Sequence, residues 1–485
     1  MNILIVGNGF DLSHYLPTKY DHFMLVMKAI EKKDLEKPIN DVLYSPFEDP
    51  IHLFTKYFQI ARAIDKKTYQ MNFDDLFSEL RKPQDINFIE NTKRNYETSK
   101  INLAEEQIRQ IQKKLNKNNW YQYFKHHVKE IKTWIDFEQK IEEVLVVLGK
   151  VITRIEQNEV DFNNLEINMY DFLDKNSVMI LNHFLLFKEV GGYQKVKQDY
   201  ISTPVQLYLN SIFCHGGVVT NGFSPSLFLE FLSQQLDDFI EIFNLYLELV
   251  IDKLQLETSL EIFVKSDSLF ELNKNCWIKP DLIYSFNYTN TYQRIYGLVE
   301  VEYLHGSHGE NQNIVLGISD LEHDSLRKLK AYGFTKYHQK LFKDTDYLFL
   351  DEYKIKTEKI KKEISDLQSK ILVQLQSAHL NSLQCQLDDK YKNQSLDLNI
   401  SIWGHSLDLS DKDYIIDLFS LNDDMDRNVR VTVYYFDQNA KFTLLNNLLA
   451  ILEKDKVEEW MKNKWLQFKP NPKIKFDEMI SEKTA

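Results

Sequence analysis

Ile3-Leu4-Ile5-Val6-Gly7-Asn8-Gly9-Phe10-Asp11 is the stretch whose reading decides the fold. Four consecutive apolar residues without polar alternation read as a short strand buried on both faces. Two glycines follow at once, in a chain that holds only 14 glycines among 485 residues. Glycine permits positive φ and lets a backbone come close to a neighbour. A buried strand running into Gly-Asn-Gly is how many nucleotide-binding α/β folds begin. The third glycine of a full dinucleotide fingerprint is missing, because position 12 is Leu. A tight turn with no ligand therefore stays open at this point.

Working outward, further strands are expected near Leu282–Phe286, Val299–Leu304, Ile314–Gly317, Leu398–Trp403 and Val429–Phe436. They alternate with helical stretches, as in a parallel α/β sheet. A helix carrying Phe23, Met24, Met27 and Ile30, capped by Thr18 or Asp21, follows the break at Pro17. Further helical stripes are Phe54, Phe58, Ile60 and Ala61; Phe137, Ile141, Val144, Leu145 and Leu148; and Phe228 through Ile251. Glu90 to Lys117 reads as polar almost all round, and Gly191-Gly192 and Gly216-Gly217 as loop breaks. The expected organisation is an α/β core from residues 1–20, 281–345 and 396–455. A mostly α-helical insertion fills 21–280, a polar helical arm 346–395 and a C-terminal tail 456–485.

Six glycines fall in four strand-end loops: Gly7, Gly9, Gly306, Gly309, Gly317 and Gly404. These loops, with the one after the second strand, also hold Asn8, Asp11, Asn287, His305, His308, His405, Ser406 and Asp411. A core of this kind binds ligands where such loops converge. His305 suits a general base, since an ordinary imidazole titrates near 6.5. His305, His308 and His323 sit on irregular backbone without thiolate or carboxylate company at ligand spacing, so no metal is expected. Glu138 reads as one partner of a helix-surface salt bridge, and Ser410 as the N-cap of a helix with Asp413 at N3.

The net charge of −13 argues against general nucleic-acid binding through a basic surface. The lysines from Lys462 to Lys475 read as a solvated tail. Three scattered cysteines give no disulfide framework and suit a reducing cytoplasm. No signal peptide or membrane span is expected, because the first apolar run is short and ends in glycine.

Taken as an ordered set, several motifs resemble the AbiH-type bacteriophage abortive-infection proteins. They are Gly7 to His14, Leu16 to Tyr20, Phe286 to Thr289, Leu304 to Gly306, Val315 to Gly317, Phe334 to Lys340 and Gly404 to Leu407. That family in turn resembles the sirtuin-like NAD-binding fold, so the resemblance implies a Rossmann-like (sirtuin-like) sheet. Gly7 and Pro17 keep the spacing of the sirtuin glycine loop and its proline. Asn287 and His305 are similar to the sirtuin asparagine and catalytic histidine, and Gly404 and Ser406 to a late loop on the adenosine side. The zinc-binding cysteine pairs are absent, and Tyr20 stands where deacylating sirtuins carry arginine. Protein deacylation is therefore not implied. The resemblance implies NAD as a substrate or ligand rather than a retained cofactor. Asn287, His305 and Asp11 would be catalytic. Gly7, Asn8, Gly9, Phe10, Pro17, Gly404, His405 and Ser406 would bind the nucleotide. An enzyme that drains NAD needs gating, so a phage-derived trigger and a homo-oligomer are the implied partners. A nucleotide-binding sensor without turnover and a nuclease effector are the competing readings.

Overall fold

The computed structural model describes residues 1–35, 69–127, 134–157, 173–196, 199–257, 260–263, 277, 279–346, 348–373, 377–393, 397–423 and 428–476. The expected stripe Phe54, Phe58, Ile60 and Ala61, and Cys276, lie outside them.

Six parallel strands form the central sheet: β1 (Asn2–Val6), β2 (Leu282–Ser285), β3 (Glu300–Tyr303), β4 (Leu398–Trp403), β5 (Val429–Tyr435) and β6 (Leu466–Pro470). Their spatial order is β3-β2-β1-β4-β5-β6. The chain thus builds outward from β1 to β3 on one side, then returns to start β4 on the other. Register is tight around the centre: Ile5 pairs with Tyr284 of β2 and with Ile402 of β4.

Successive side chains of a strand point to opposite faces. Ile3, Ile5, Ile400, Ile402, Val431 and Val433 pack on one face with Ile415, Leu418 and Phe419 of the helix Lys412–Ser420 and Leu444, Leu448 and Trp460 of the helix Gln438–Lys462. Leu4, Val6, Ile283, Trp403 and Tyr434 pack on the other face with Phe10 and Tyr292. Covering both faces explains why β1 is an unbroken apolar run. Each such side chain contributes about 1.5–3 kcal/mol by leaving water.

The largest core is drawn mostly from the chain between β1 and β2, joined by Ile314, Leu316, Ile318 and Phe334 from beyond β3. It joins Phe23, Met24, Met27 and Ile30 of the helix Tyr20–Lys32 to Phe137, Ile141, Val144 and Leu148 of the helix Trp134–Glu156 and Phe239 and Phe243 of the helix Pro225–Tyr246. The helix Glu105–Lys117 is less polar than expected, since Ile108, Ile111 and Leu115 form a buried stripe. Gly191-Gly192 does not break the chain. It lies in an antiparallel hairpin, Phe187–Val196 with Asp199–Leu209, at a register shift between Val190 and Gly192. The polar arm is a pair of helices, Asp351–Val373 and Ser377–Asn393.

Two strand expectations differ from the structure. Ile314–Gly317 is buried and extended but joins no ladder. Its backbone is satisfied otherwise: Val315 N–H donates to the His305 carbonyl, and the Gln339 side chain both accepts from Leu316 N–H and donates to its carbonyl. Conversely, β6 lies within the stretch read as a tail. Gln467, Lys469 and an exposed Pro470 interrupt its apolar residues, so it reads as polar although Leu466 is buried. No helix among the described residues is long and apolar enough to cross a membrane.

Candidate functional site

A cavity of about 330 Å³ opens beyond the carboxyl ends of β1, β2, β3 and β4. Of the residues expected to act together, it gathers Gly7, Asn8, Asp11, Asn287, His305, Gly404, His405 and Ser406. Phe10, Pro17 and Gly9 do not line it. Phe10 is turned into the sheet face, edge-on to Trp403 with ring centroids 5.0 Å apart. Pro17 is buried, and its carbonyl accepts from the Tyr246 hydroxyl.

The glycines serve contact between loops. Gly7 N–H donates to the Trp403 carbonyl at 3.1 Å, and Gly9 N–H to the Gly404 carbonyl at 2.9 Å. A methyl group at Gly7 would lie 2.6 Å from the Gly404 carbonyl oxygen. At Gly404, φ is 76°, and an added Cβ would collide with the Phe10 amide nitrogen. The turns after β1 and β4 are therefore packed backbone to backbone, as only glycine permits. The Gly7 and Gly9 amides, expected to bind the nucleotide, are already committed.

One part of the cavity is built around Asp11, which is 1% exposed. Its Oδ2 accepts from the Thr289 hydroxyl at 2.6 Å, and Thr289 accepts in turn from Thr291. Burial pushes the Asp11 carboxyl up to about 6, against the pull of these hydroxyls and of Arg294. Asn287 is anchored by donating from Nδ2 to the Gly7 carbonyl at 2.9 Å. Asn8 is held by the Thr18 hydroxyl, which donates to its Oδ1 at 2.6 Å instead of capping the following helix.

Another part is centred on Asp411. Its Oδ1 lies 3.1 Å from His305 Nε2 and 3.4 Å from Lys336 Nζ, and its Oδ2 lies 3.3 Å from His405 Nε2. His405 Nδ1 accepts from Leu407 N–H, so its Nε2 carries the proton that faces the carboxylate. Leu407 adopts φ 52°, a strained value for leucine, at the place where the chain folds back behind His405. Phe286 packs against both imidazoles, with centroids 5.1 Å from His305 and 4.1 Å from His405.

Lys336 completes the cluster. Its ammonium is 2.9 Å from Glu138 Oε1 and 3.2 Å from the Ser410 hydroxyl. Burial opposes the charge on Lys336, but Asp411 and Glu138 more than offset it and hold the ammonium protonated. Burial alone would lift Asp411; Lys336, and after it the contact with His305, holds the carboxyl well below the ordinary range. Burial raises Glu138 to about 7, with Lys336 opposing. Burial likewise lowers Lys340 to about 8, where its ammonium donates to the Tyr414 hydroxyl at 2.8 Å.

Three expectations change here. His305 is not an ordinary imidazole base: burial lowers it to about 3, despite Asp411, so it stays neutral. Glu138 is no surface ion-pair partner, since its side chain is only 13% exposed and meets a buried ammonium. Ser410 caps nothing by its side chain. Asp408 accepts from Ser410 N–H, which begins the short turn Leu409–Asp411 ahead of the helix. That leaves the Asp411 carboxylate directed at His305, His405 and Lys336. Outside the cavity lining, His308 bridges the Tyr288 carbonyl and Asp252.

Lys336 and Glu138 are not among the expected site residues, and Asp411 is expected only in a converging loop, without a role. Amphipathicity hides Lys336: the helix Lys336–Phe342 buries Lys336, Gln339 and Lys340 and exposes Leu341 and Phe342, the reverse of the usual pattern. Among the described residues, no group of three or more His, Cys, Asp or Glu is arranged to hold a metal ion.

No curated protein and no solved structure gives a significant match to the chain. The profile of one family, described as bacteriophage abortive infection AbiH, matches residues 3–435. That span runs from β1 through β5 and takes in every residue of the cavity, and on it the chain belongs to the AbiH family of bacteriophage abortive infection proteins.

Proposed function

We propose that this protein is an abortive-infection effector that binds NAD, or a closely related nucleotide, and hydrolyses its bond to nicotinamide. The observation that carries the reading is the position of the cavity. The strand order matches that of doubly wound dinucleotide-binding sheets, and the cavity sits where the chain reverses direction between β1 and β4. Its volume is at the small end of the usual range for ligand pockets, about 300–1,000 Å³. It suits one nucleoside moiety, with the rest of a dinucleotide leaving through the mouth.

In this reading the nicotinamide riboside lies against Asn287, His305 and Phe286. The Asn287 amide, fixed by the Gly7 carbonyl, holds a ribose hydroxyl or the attacking water. Neutral His305 orients the same water by hydrogen bonding. Departure of nicotinamide leaves an oxocarbenium-like ribose, which buried carboxylates stabilise. Asp411, ionised and beside both imidazoles, supplies that charge. Contact with phosphates falls to Lys19 and Ser406, since the Gly7 and Gly9 amides are taken. A phage-derived trigger or self-association would control access.

The test is nicotinamide release from NAD by purified protein, alone and with lysate of phage-infected cells. Release that disappears in Asn287→Ala and His305→Ala supports the reading. Its absence in the wild type under both conditions, or undiminished release in both variants, overturns it.

A further inference from the structure

We propose that Glu138, delivered from the helical region, is the general base of this cleavage, and that Lys336 is the residue that positions it. The inference rests on the nicotinamide-releasing reading of the same cavity.

Three carboxylates line the cavity, and two are less well placed than the third to take a proton from water. Asp411 is held on both oxygens by His305, His405 and Lys336. Asp11 is 1% exposed, with Oδ2 taken by the Thr289 hydroxyl, so water reaches it least of the three. Glu138 differs from both. It lines the cavity and retains some exposure, and its ion pair is made through Oε1. Its helix is fixed by Phe137 and Ile141, both in the apolar core, so the carboxylate is presented from a rigid element. The charged and titratable groups facing it are Lys336, Asp411, Asp408, Lys340 and Tyr288. Their balance with burial leaves Glu138 titrating near neutrality, which suits a base, whereas His305 is too weakly basic.

The step balances without a further reactant. The water oxygen bonds to ribose C1′ while the bond from C1′ to the pyridinium nitrogen breaks. The electron pair goes to that nitrogen and neutralises the ring. The water proton passes to Glu138, which later releases it to solvent. The assignment also makes the helical region part of the catalytic machinery.

Glu138→Gln keeps shape and removes basicity. The full-length protein and this variant are assayed for nicotinamide release across the neutral pH range, with NAD binding measured by calorimetry. The expected result is a fall in kcat of about 10²–10⁴-fold with NAD affinity nearly unchanged. In the wild type, kcat rises with pH to half-maximum near 7. Lys336→Gln moves that limb to higher pH, because the ammonium that favours the carboxylate is gone, and Lys336→Arg restores it. Should Lys336→Gln fail to bind NAD, Glu138→Gln alone decides whether the base is assigned correctly. Turnover by Glu138→Gln within about threefold of wild type overturns the role of Glu138 and leaves the broader reading standing. A wild type that binds NAD yet releases no nicotinamide overturns both.

Discussion

Asp11 and Asp411 line the same cavity and are both buried, yet their partners differ in kind. Asp11 is hydrogen-bonded by a threonine hydroxyl, while Asp411 meets an ammonium and two imidazoles. Burial raises the first carboxyl to about 6; a neighbouring full charge keeps the second far below the ordinary range. Burial alone therefore does not set the charge of this site. A buried cation decides it, and Lys336 is the residue that discriminates the two environments.

The strongest way to break the contrast is Lys336→Met. It strands Asp411 and Glu138 without their ammonium and is expected to destabilise the fold by about 3–5 kcal/mol, read from urea denaturation. Next is Asp11→Asn, which acts with the opposite sign. Because the folded carboxyl titrates near 6 and the unfolded one near 3.8, the native state prefers the protonated acid. That preference is harmless below the unfolded value and costs stability as pH rises through this window. Asp11→Asn removes the penalty, so its stability relative to wild type should climb between these values and reach about 2–3 kcal/mol near pH 7. A flat difference would show that Asp11 is not perturbed. Asp411 works the other way: its stabilisation is present above the unfolded value and fades as pH falls through the depressed folded one. Thr289→Val removes the hydroxyl from Asp11 Oδ2 and is expected to cost about 1–2 kcal/mol above pH 6, and less when the acid is protonated. Smallest is Lys82→Ala. Its exposed pair with Asp21 should be worth under about 1 kcal/mol and vanish in high salt, which separates burial from pairing as the source of the larger effects.

Much of this frame is legible in sequence. The strands β1 and β2 are apolar runs ending in glycine or asparagine, and β4 and β5 alternate apolar residues with Asn399, Ser401, Arg430 and Thr432. The convergence of Asn287, His305, Gly404 and Asp11 follows from their places at strand ends. Two kinds of information are hidden. Satisfaction of backbone by side chain is one: Gln339 replaces a ladder for Leu316, so an apolar run that reads as a strand is not one. Long-range charge compensation is the other. Glu138, Lys336 and Asp411 come from distant stretches: Glu138 alone reads as a surface ion-pair partner, and nothing beside Lys336 or Asp411 announces their pairing. Only their meeting makes a lysine at a helix start a buried one.

The central position of β1 has a consequence in time. Its first residue to pair is Asn2, yet its partners β2 and β4 begin at Leu282 and Leu398. At synthesis rates of about 5–20 residues per second, the middle of the sheet waits unpaired on the order of tens of seconds while the helical region folds. The cavity closes only once Asp411 has been made, so a ribosome-bound chain short of that point lacks the site altogether. In the proposed reading, where the host's own NAD is consumed, late completion is a safeguard written into chain order.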